Sequence, residues 1–259
     1  MVLLRLLGDF VFPENSPAPT KALIALLGDC GFGEHAARQA INRCAQLGLI
    51  AGGRNGRSTE WALTARGLEL MADGNRRARE LGSDPARWDG RWLAVIISVP
   101  HDRRAIRQKL YRTLGWAGCG MPEPSLWICA HPGRAERIAA DLAALDLDRA
   151  AISFVGSAGA VGLDDAELVA RAWDLGLVAD NYRRAVQQFD VAATPQGAEL
   201  IRQLVEVDGV LQSMVSQDPW LPAELSPDRS IREHAALLVD YRERLLGSAR
   251  AHWGRLLDS

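Results

Sequence analysis

Across residues 34–63 the hydrophobic period of the chain switches from helical to extended, and that switch constrains the fold more than any other stretch. Ala37, Ala40, Ile41, Cys44 and Leu47 recur at helical spacing, so at about 100° per residue they share one face. His35, Arg38, Gln39, Asn42, Arg43 and Gln46 collect on the opposite face. Gly48 stands where a helix ends in a left-handed residue. Residues 49–53 and 59–63 then flank Arg54-Asn55-Gly56-Arg57, in which Asn-Gly is a strong hairpin signal. No acidic residue lies between Arg38 and Thr59. Arg, Asn and Gln carry the fork and amide geometry that reads base edges in a major groove. The pattern predicts a recognition helix followed by a wing. The plainer alternative is an ordinary amphipathic helix and a solvated hairpin tip.

Upstream residues favour the first reading. Residues 2–12 form an apolar helical run, and 20–27 form a second with Thr20 as candidate N-cap. The glycine-containing stretch 28–33 supplies the short turn of a helix-turn-helix. Three short helices and a wing make a winged helix-turn-helix. In it Gln39, Asn42 and Arg43 would enter the major groove, with His35 and Arg38 near phosphates or base edges. Arg54 and Arg57 would contact phosphate or the minor groove. A twofold dimer would offer two such helices to the half-sites of a double-stranded operator.

Thr64 can cap a helix to about residue 81, before the break Gly82-Ser83-Asp84-Pro85. Strands are predicted over 92–99, 126–130 and 151–155, with helices over 102–114 and 135–145. This β-α-β-α-β order predicts a small ferredoxin-like domain. Beyond residue 164 the runs 165–175, 180–189, 195–217 and 230–257 are all helical. The expected class is α+β multidomain: a winged helix over 1–83, a ferredoxin-like domain over 84–160 and an all-α part over 161–259.

Charge and motifs narrow the function. Residues 164–259 carry 10 basic and 16 acidic side chains, a balance suited to dimerisation or ligand sensing, not to duplex contact. No apolar run reaches the ~18 residues that span a bilayer, and no basic segment with a cleavable apolar core opens the chain. Cys30, Cys44, Cys119 and Cys129 form no CxxC pair and read as reduced thiols of a cytoplasmic protein. The histidines make no zinc pattern, and no cofactor is expected. The glycine-rich stretch 156–162 matches no phosphate-loop motif and reads as a linker. Cys129-Ala130-His131 is not a dyad by spacing, Asp89 reads as a turn residue, and Asp102 as a helix start. No convergent catalytic set emerges, so a non-enzyme is expected. The alternatives are a hydrolase or nuclease with a fused winged helix, or a winged-helix protein-interaction module.

Nearly the whole chain resembles the PaaX-type transcriptional regulators. The resemblance rests on Ala37-Arg38-Gln39-Ala40-Ile41-Asn42-Arg43 with Gly48, then Gly56-Arg57 and Leu63-Thr64-Ala65-Arg66-Gly67. It continues through Trp88-Asp89-Gly90-Arg91-Trp92, Pro100, Arg103, Arg104, Arg107 and Leu126-Trp127-Ile128. Trp173-Asp174-Leu175 and Asp218-Pro219-Trp220-Leu221-Pro222-Ala223-Glu224-Leu225 complete it. It implies a dimeric repressor of a phenylacetate-type catabolic operon, a Cas2-like middle domain, and release from DNA by phenylacetyl-coenzyme A or another acyl-coenzyme A. An anionic thioester needs arginines beside apolar walls, which makes Arg103, Arg104 and Arg107, or Arg183 and Arg184 beside Tyr182, candidate effector residues. The chain departs from the family pattern at Val207-Asp208-Gly209-Val210 and at Ser226-Pro227-Asp228-Arg229-Ser230. Those departures leave the identity of the effector open.

Overall fold

The structure, a computed structural model, describes every residue except Met1, Pro13, Arg57, His101, Pro227 and Ser259. It is a mixed α/β chain with two antiparallel sheets, and it divides into two compact units. One comprises residues 1–79, 189–212 and 237–259, and the other residues 80–188 and 213–236.

The first unit begins with α1 (Val2–Phe10), β1 (Ala18–Pro19), α2 (Thr20–Asp29) and α3 (Glu34–Gln46). There follow β2 (Ile50–Asn55), β3 (Ser58–Leu63) and most of α4 (Ala65–Leu81). Leu3, Leu6 and Leu7 of α1, Leu23, Leu26 and Leu27 of α2, and Ile41 of α3 are all buried. Their i, i+3, i+4 spacing is what turns one face of each short helix inward. The sheet runs β1-β3-β2. The two-residue strand β1 was not expected; it pairs Ala18 with Trp61 and Pro19 with Glu60. Thr20 does not cap α2, whose N-cap is Pro19 without a side-chain bond. The Thr20 hydroxyl instead donates to Thr59 O (2.9 Å) and accepts from Trp61 Nε1 (2.9 Å), so β3 has taken the oxygen a cap would use.

The second unit is built on β4 (Trp92–Ile97), α5 (Arg104–Trp116), β5 (Gly120–Glu123), β6 (Leu126–Cys129), α6 (Ala135–Ala143) and β7 (Ala151–Gly156). The order is β-α-β-β-α-β, one strand more than the sequence reading, and the sheet runs β5-β6-β4-β7, the ferredoxin-like arrangement. One face, with Leu93, Val95, Ile97 and Trp127, packs on Leu110 and Leu114 of α5 and Ile138 and Leu142 of α6. Helix α5 starts at Arg104, not Asp102, because Arg103 N closes a turn onto Pro100 O (3.1 Å) first. Then come α7 (Asp165–Ala172), α8 (Leu175–Gln188), α9 (Gly197–Val215) and α10 (Ser230–Leu257), so the last third contributes helices to both units. Asp164 and Glu167 form a reciprocal capping box at the start of α7, directly after the glycine-rich stretch. No helix among the described residues is long and apolar enough to cross a membrane.

The motifs of the second unit are structural pieces. In Trp88-Asp89-Gly90-Arg91-Trp92, Asp89 accepts from Arg91 N (3.0 Å) and from its guanidinium (2.7 Å), while Gly90 has φ +78°. These bonds from Arg91 hold the Asp89 carboxyl below its ordinary range. Trp173 stacks on Trp92 (6.2 Å between centroids) and lies so close to β5 that a Cβ on Gly120 would come within 2.4 Å of its ring. Buried Asp218 accepts from the Tyr182 hydroxyl (2.9 Å), from Trp220 N (2.7 Å) and from Arg232. That set fixes Trp220 at φ +54°, with its ring beside His131 (5.0 Å) and Arg134 (5.5 Å).

Candidate nucleic-acid interface

Helix α3 turns Ala37, Ile41 and Cys44 inward and leaves His35, Arg38, Gln39, Asn42 and Arg43 exposed. Its end is a Schellman motif: Gly48, at φ +67°, donates to Ala45 O (2.9 Å), and Leu49 N donates to Cys44 O (3.0 Å). The next segment is fastened to that stop. The Thr64 hydroxyl donates to Gly48 O (2.6 Å) and accepts from Gly67 N (3.1 Å), which caps α4. Arg66 Nη1 donates to Leu47 O (3.0 Å). A Cβ on Gly67 would fall 2.1 Å from Leu49 O, so only glycine lets α4 start against this backbone. The polar face of α3 therefore has a fixed bearing relative to the hairpin.

The polar side chains on α3 divide into two sets. In the first turns, Glu34 Oε1 accepts from Arg38 Nε (3.0 Å) and Nη2 (2.8 Å), and Gln39 Nε2 lies 2.9 Å from His35 Nε2. Both pairs are exposed, so each is a weak contact that a stronger partner can displace. Asn42 and Arg43 have no hydrogen-bond or ion-pair partner among the described residues. The pairing of Arg38 with Glu34 was not anticipated, although their i, i+4 spacing was visible in the sequence.

The hairpin β2–β3 pairs in register from Ile50↔Leu63 to Asn55↔Ser58. Asn55 thus belongs to the ladder, where an Asn55-Gly56 turn would have put it in the loop, and Gly56 follows at φ +60°. Asn55 is drawn into the ladder by Glu60 Oε1, which accepts from its amide (2.7 Å), and Ser58 Oγ donates to Asn55 O (2.9 Å). Arg54 is exposed on β2. Arg57 lies outside the described residues.

The candidate effector arginines lie on two elements of the second unit. Arg103 and Arg104 are exposed at the start of α5, and Arg107 is half-buried one turn on. On α8, Arg183 pairs with Asp180 (2.6 Å) and Arg184 donates to Asn181 Oδ1 (2.5 Å). Tyr182 between them points into the core toward Asp218. None of the five lines the open groove of about 650 Å³ walled by Val169, Arg171, Trp173, Leu175 and Leu225. The sequence reading missed that groove. Its signal was present in the Trp173-Asp174-Leu175 motif and in Leu225.

A family model described as PaaX-like protein matches residues 2–67, and one described as PaaX protein central Cas2-like domain matches residues 85–169. The transcriptional repressor PaaX of Escherichia coli (strain K12) is 33% identical over 124 residues, 47% of this chain. The aligned stretch spans 37% of that repressor's length. The uncharacterized protein Rv0674 from Mycobacterium tuberculosis has the same fold, with a TM-score of 0.64 at 22% identity over 96% of this chain and 97% of that one. With two models of one family matched in chain order, and a repressor bearing the family's name aligned at 33% identity, the chain belongs to the PaaX family.

Proposed function

We propose that the protein is a sequence-specific DNA-binding transcriptional regulator, a homodimeric repressor of a catabolic operon released by a small-molecule effector. The observation that carries this reading is the exposed face of α3, where Asn42 and Arg43 stand without partners among the described residues while Ala37, Ile41 and Cys44 are buried. In this reading α1, α2, α3 and the β2–β3 hairpin form a winged helix-turn-helix. Gln39, Asn42 and Arg43 read base edges, His35 and Arg38 lie against the backbone, and Arg54 and Arg57 on the wing meet phosphate. Its likeness to a protein named a transcriptional repressor supports the assignment.

The test is to select bound fragments from the source genome and measure their affinity across a salt series. Each phosphate contact contributes a slope of about −0.9 to log K against log salt. Arg54→Ala is expected to make the slope shallower by about one per bound wing while leaving base preference unchanged. A slope equal to that of the unsubstituted protein would remove Arg54 from the interface.

Release requires the effector to favour an arrangement that cannot hold DNA. Arg103, Arg104, Arg107, Arg183 and Arg184 are the proposed contacts for its anionic end. The groove beside Trp173 has the volume of a small-molecule site. Titrating acyl-coenzyme A thioesters against the corresponding free acids in an operator-binding assay separates a thioester effector from a simpler acid.

A further inference from the structure

We propose that Glu34 is a specificity-determining residue of the DNA interface: it accepts a hydrogen bond from a cytosine amino group in the operator and so releases Arg38 to a phosphate. The proposal rests on the reading of α3 as the recognition helix. Glu34 opens α3, whose other charged side chains are all basic, and no acidic residue follows it until Glu60. Glu60 is engaged inside the hairpin, where its Oε1 accepts from the Asn55 amide (2.7 Å). A carboxylate turned toward a duplex is repelled by phosphate, which offers only acceptors, so it costs affinity unless a donor meets it. The major groove holds such a donor. Cytosine presents its N4 amino group there, and Glu is a side chain that accepts from it.

The geometry suits an exchange of partners. The N-terminal residues of a recognition helix are the ones that reach base edges, and Glu34 is the first residue of α3, its side chain 65% exposed. Both bonds from Arg38, through Nε (3.0 Å) and Nη2 (2.8 Å), fall on Oε1. Glu34 Oε2 has no hydrogen-bond partner among the described residues, which leaves it open to a base. The pair is exposed on both sides and therefore weak enough to separate.

Where the duplex places cytosine under Glu34, the carboxylate turns to the N4 amino group and the guanidinium moves to the backbone. Where it places guanine or thymine, the carboxylate meets O6 or O4, acceptor against acceptor. Arg38 then stays on Glu34, and its phosphate contact is not made. One base thus decides a base contact and a phosphate contact together. The neighbouring His35 and Gln39 pair (2.9 Å) imposes no such condition, because each side chain carries a donor as well as an acceptor.

The experiment uses the full chain in four forms: unsubstituted, Glu34→Ala, Arg38→Ala and the double variant. Fluorescence anisotropy across a salt series compares a duplex selected from the source genome with random duplex of equal length. Glu34→Ala is expected to bind random duplex about 3- to 10-fold more tightly, with a salt slope steeper by about one per copy as Arg38 joins phosphate. The ratio of operator to random affinity should fall by at least about tenfold. Fragments reselected with Glu34→Ala should lose a cytosine that the unsubstituted chain requires in each half-site. With Arg38 already replaced by alanine, the added Glu34→Ala should leave the slope unchanged. A residue that only steadies the end of α3 would move the melting temperature and scale both affinities alike. That result, an unchanged ratio, or a steeper slope that persists without Arg38 would overturn the proposal. An unsubstituted chain that fails to tell the selected duplex from random DNA would remove the regulator reading and this proposal with it. A selective chain indifferent to Glu34→Ala would remove this proposal alone.

Discussion

Replacing Arg43 by alanine is expected to weaken binding to a selected operator by roughly 5- to 150-fold, the equivalent of about 1–3 kcal/mol for one bidentate base contact. The fold should be untouched, because Arg43 is exposed on α3 and has no partner among the described residues. Asn42→Ala is expected to act in the same direction, since its amide can bond an adenine edge in the same groove. Arg38→Ala should do less. Its guanidinium is already held by Glu34 at 2.8 Å, and that exposed contact must be given up before Arg38 meets DNA. Fluorescence anisotropy with the operator and with a base-substituted version checks the ranking, and thermal melting checks the fold. Equal affinities for Arg43→Ala and the unsubstituted protein would take α3 out of the reading role.

The second large effect is on stability. Arg242 of α10 is held, largely shielded from solvent, between Asp208 of α9 (Nε to Oδ1, 2.7 Å) and buried Asp9 of α1, to which Nη2 donates. Asp9 Oδ2 and Asp208 Oδ2 are buried without a hydrogen-bond partner in the structure. Arg242→Leu would leave two carboxylates facing each other without their cation, a loss of about 3–5 kcal/mol, or roughly 6–20 °C in melting temperature.

The pH dependence has a definite sign. Burial first, and the neighbouring charge of Asp208 second, hold the Asp9 carboxyl well above its ordinary range. A folded value above the unfolded one means that the proton on Asp9 favours folding. That contribution is fully present below about pH 4 and is lost as pH rises through the raised value. The damage from Arg242→Leu should therefore be largest at neutral pH and above, and shrink toward acid as Asp9 takes a proton. Asp9→Asn in the same chain should recover part of the loss at pH 7. A melting deficit that is constant from pH 5 to 8 would contradict this account.

These two regions differ in how far they could be read from the chain. The α3 helix and the hairpin were legible because their information is local: a 3.6-residue period, a glycine stop, and a glycine at the tip. The ion cluster was not, since Asp9 sits inside an apolar helical run and its partner lies 233 positions away. It also explains one departure from the family pattern. Asp208, within Val207-Asp208-Gly209-Val210, accepts from Arg242, and Gly209 leaves room for Arg5, whose Nη1 would lie 2.9 Å from an added Cβ. The strand β5 was missed for another reason. Gly-Met-Pro-Glu carries a glycine and a proline that argue against a strand, and it is tolerated because β5 is an edge with an irregular register. Tertiary pairing, not local preference, created β1 as well.

The central claim is that α3 and the wing read a particular DNA sequence. The measurement that tests it most directly is the affinity of the full chain for a fragment selected from its own genome, against random duplex of equal length at about 150 mM salt. Specific regulators hold their sites roughly 10³- to 10⁷-fold more tightly than random DNA. The account predicts a ratio in that range, reduced by Arg43→Ala. Equal affinity for both duplexes, or no binding to either, would contradict it.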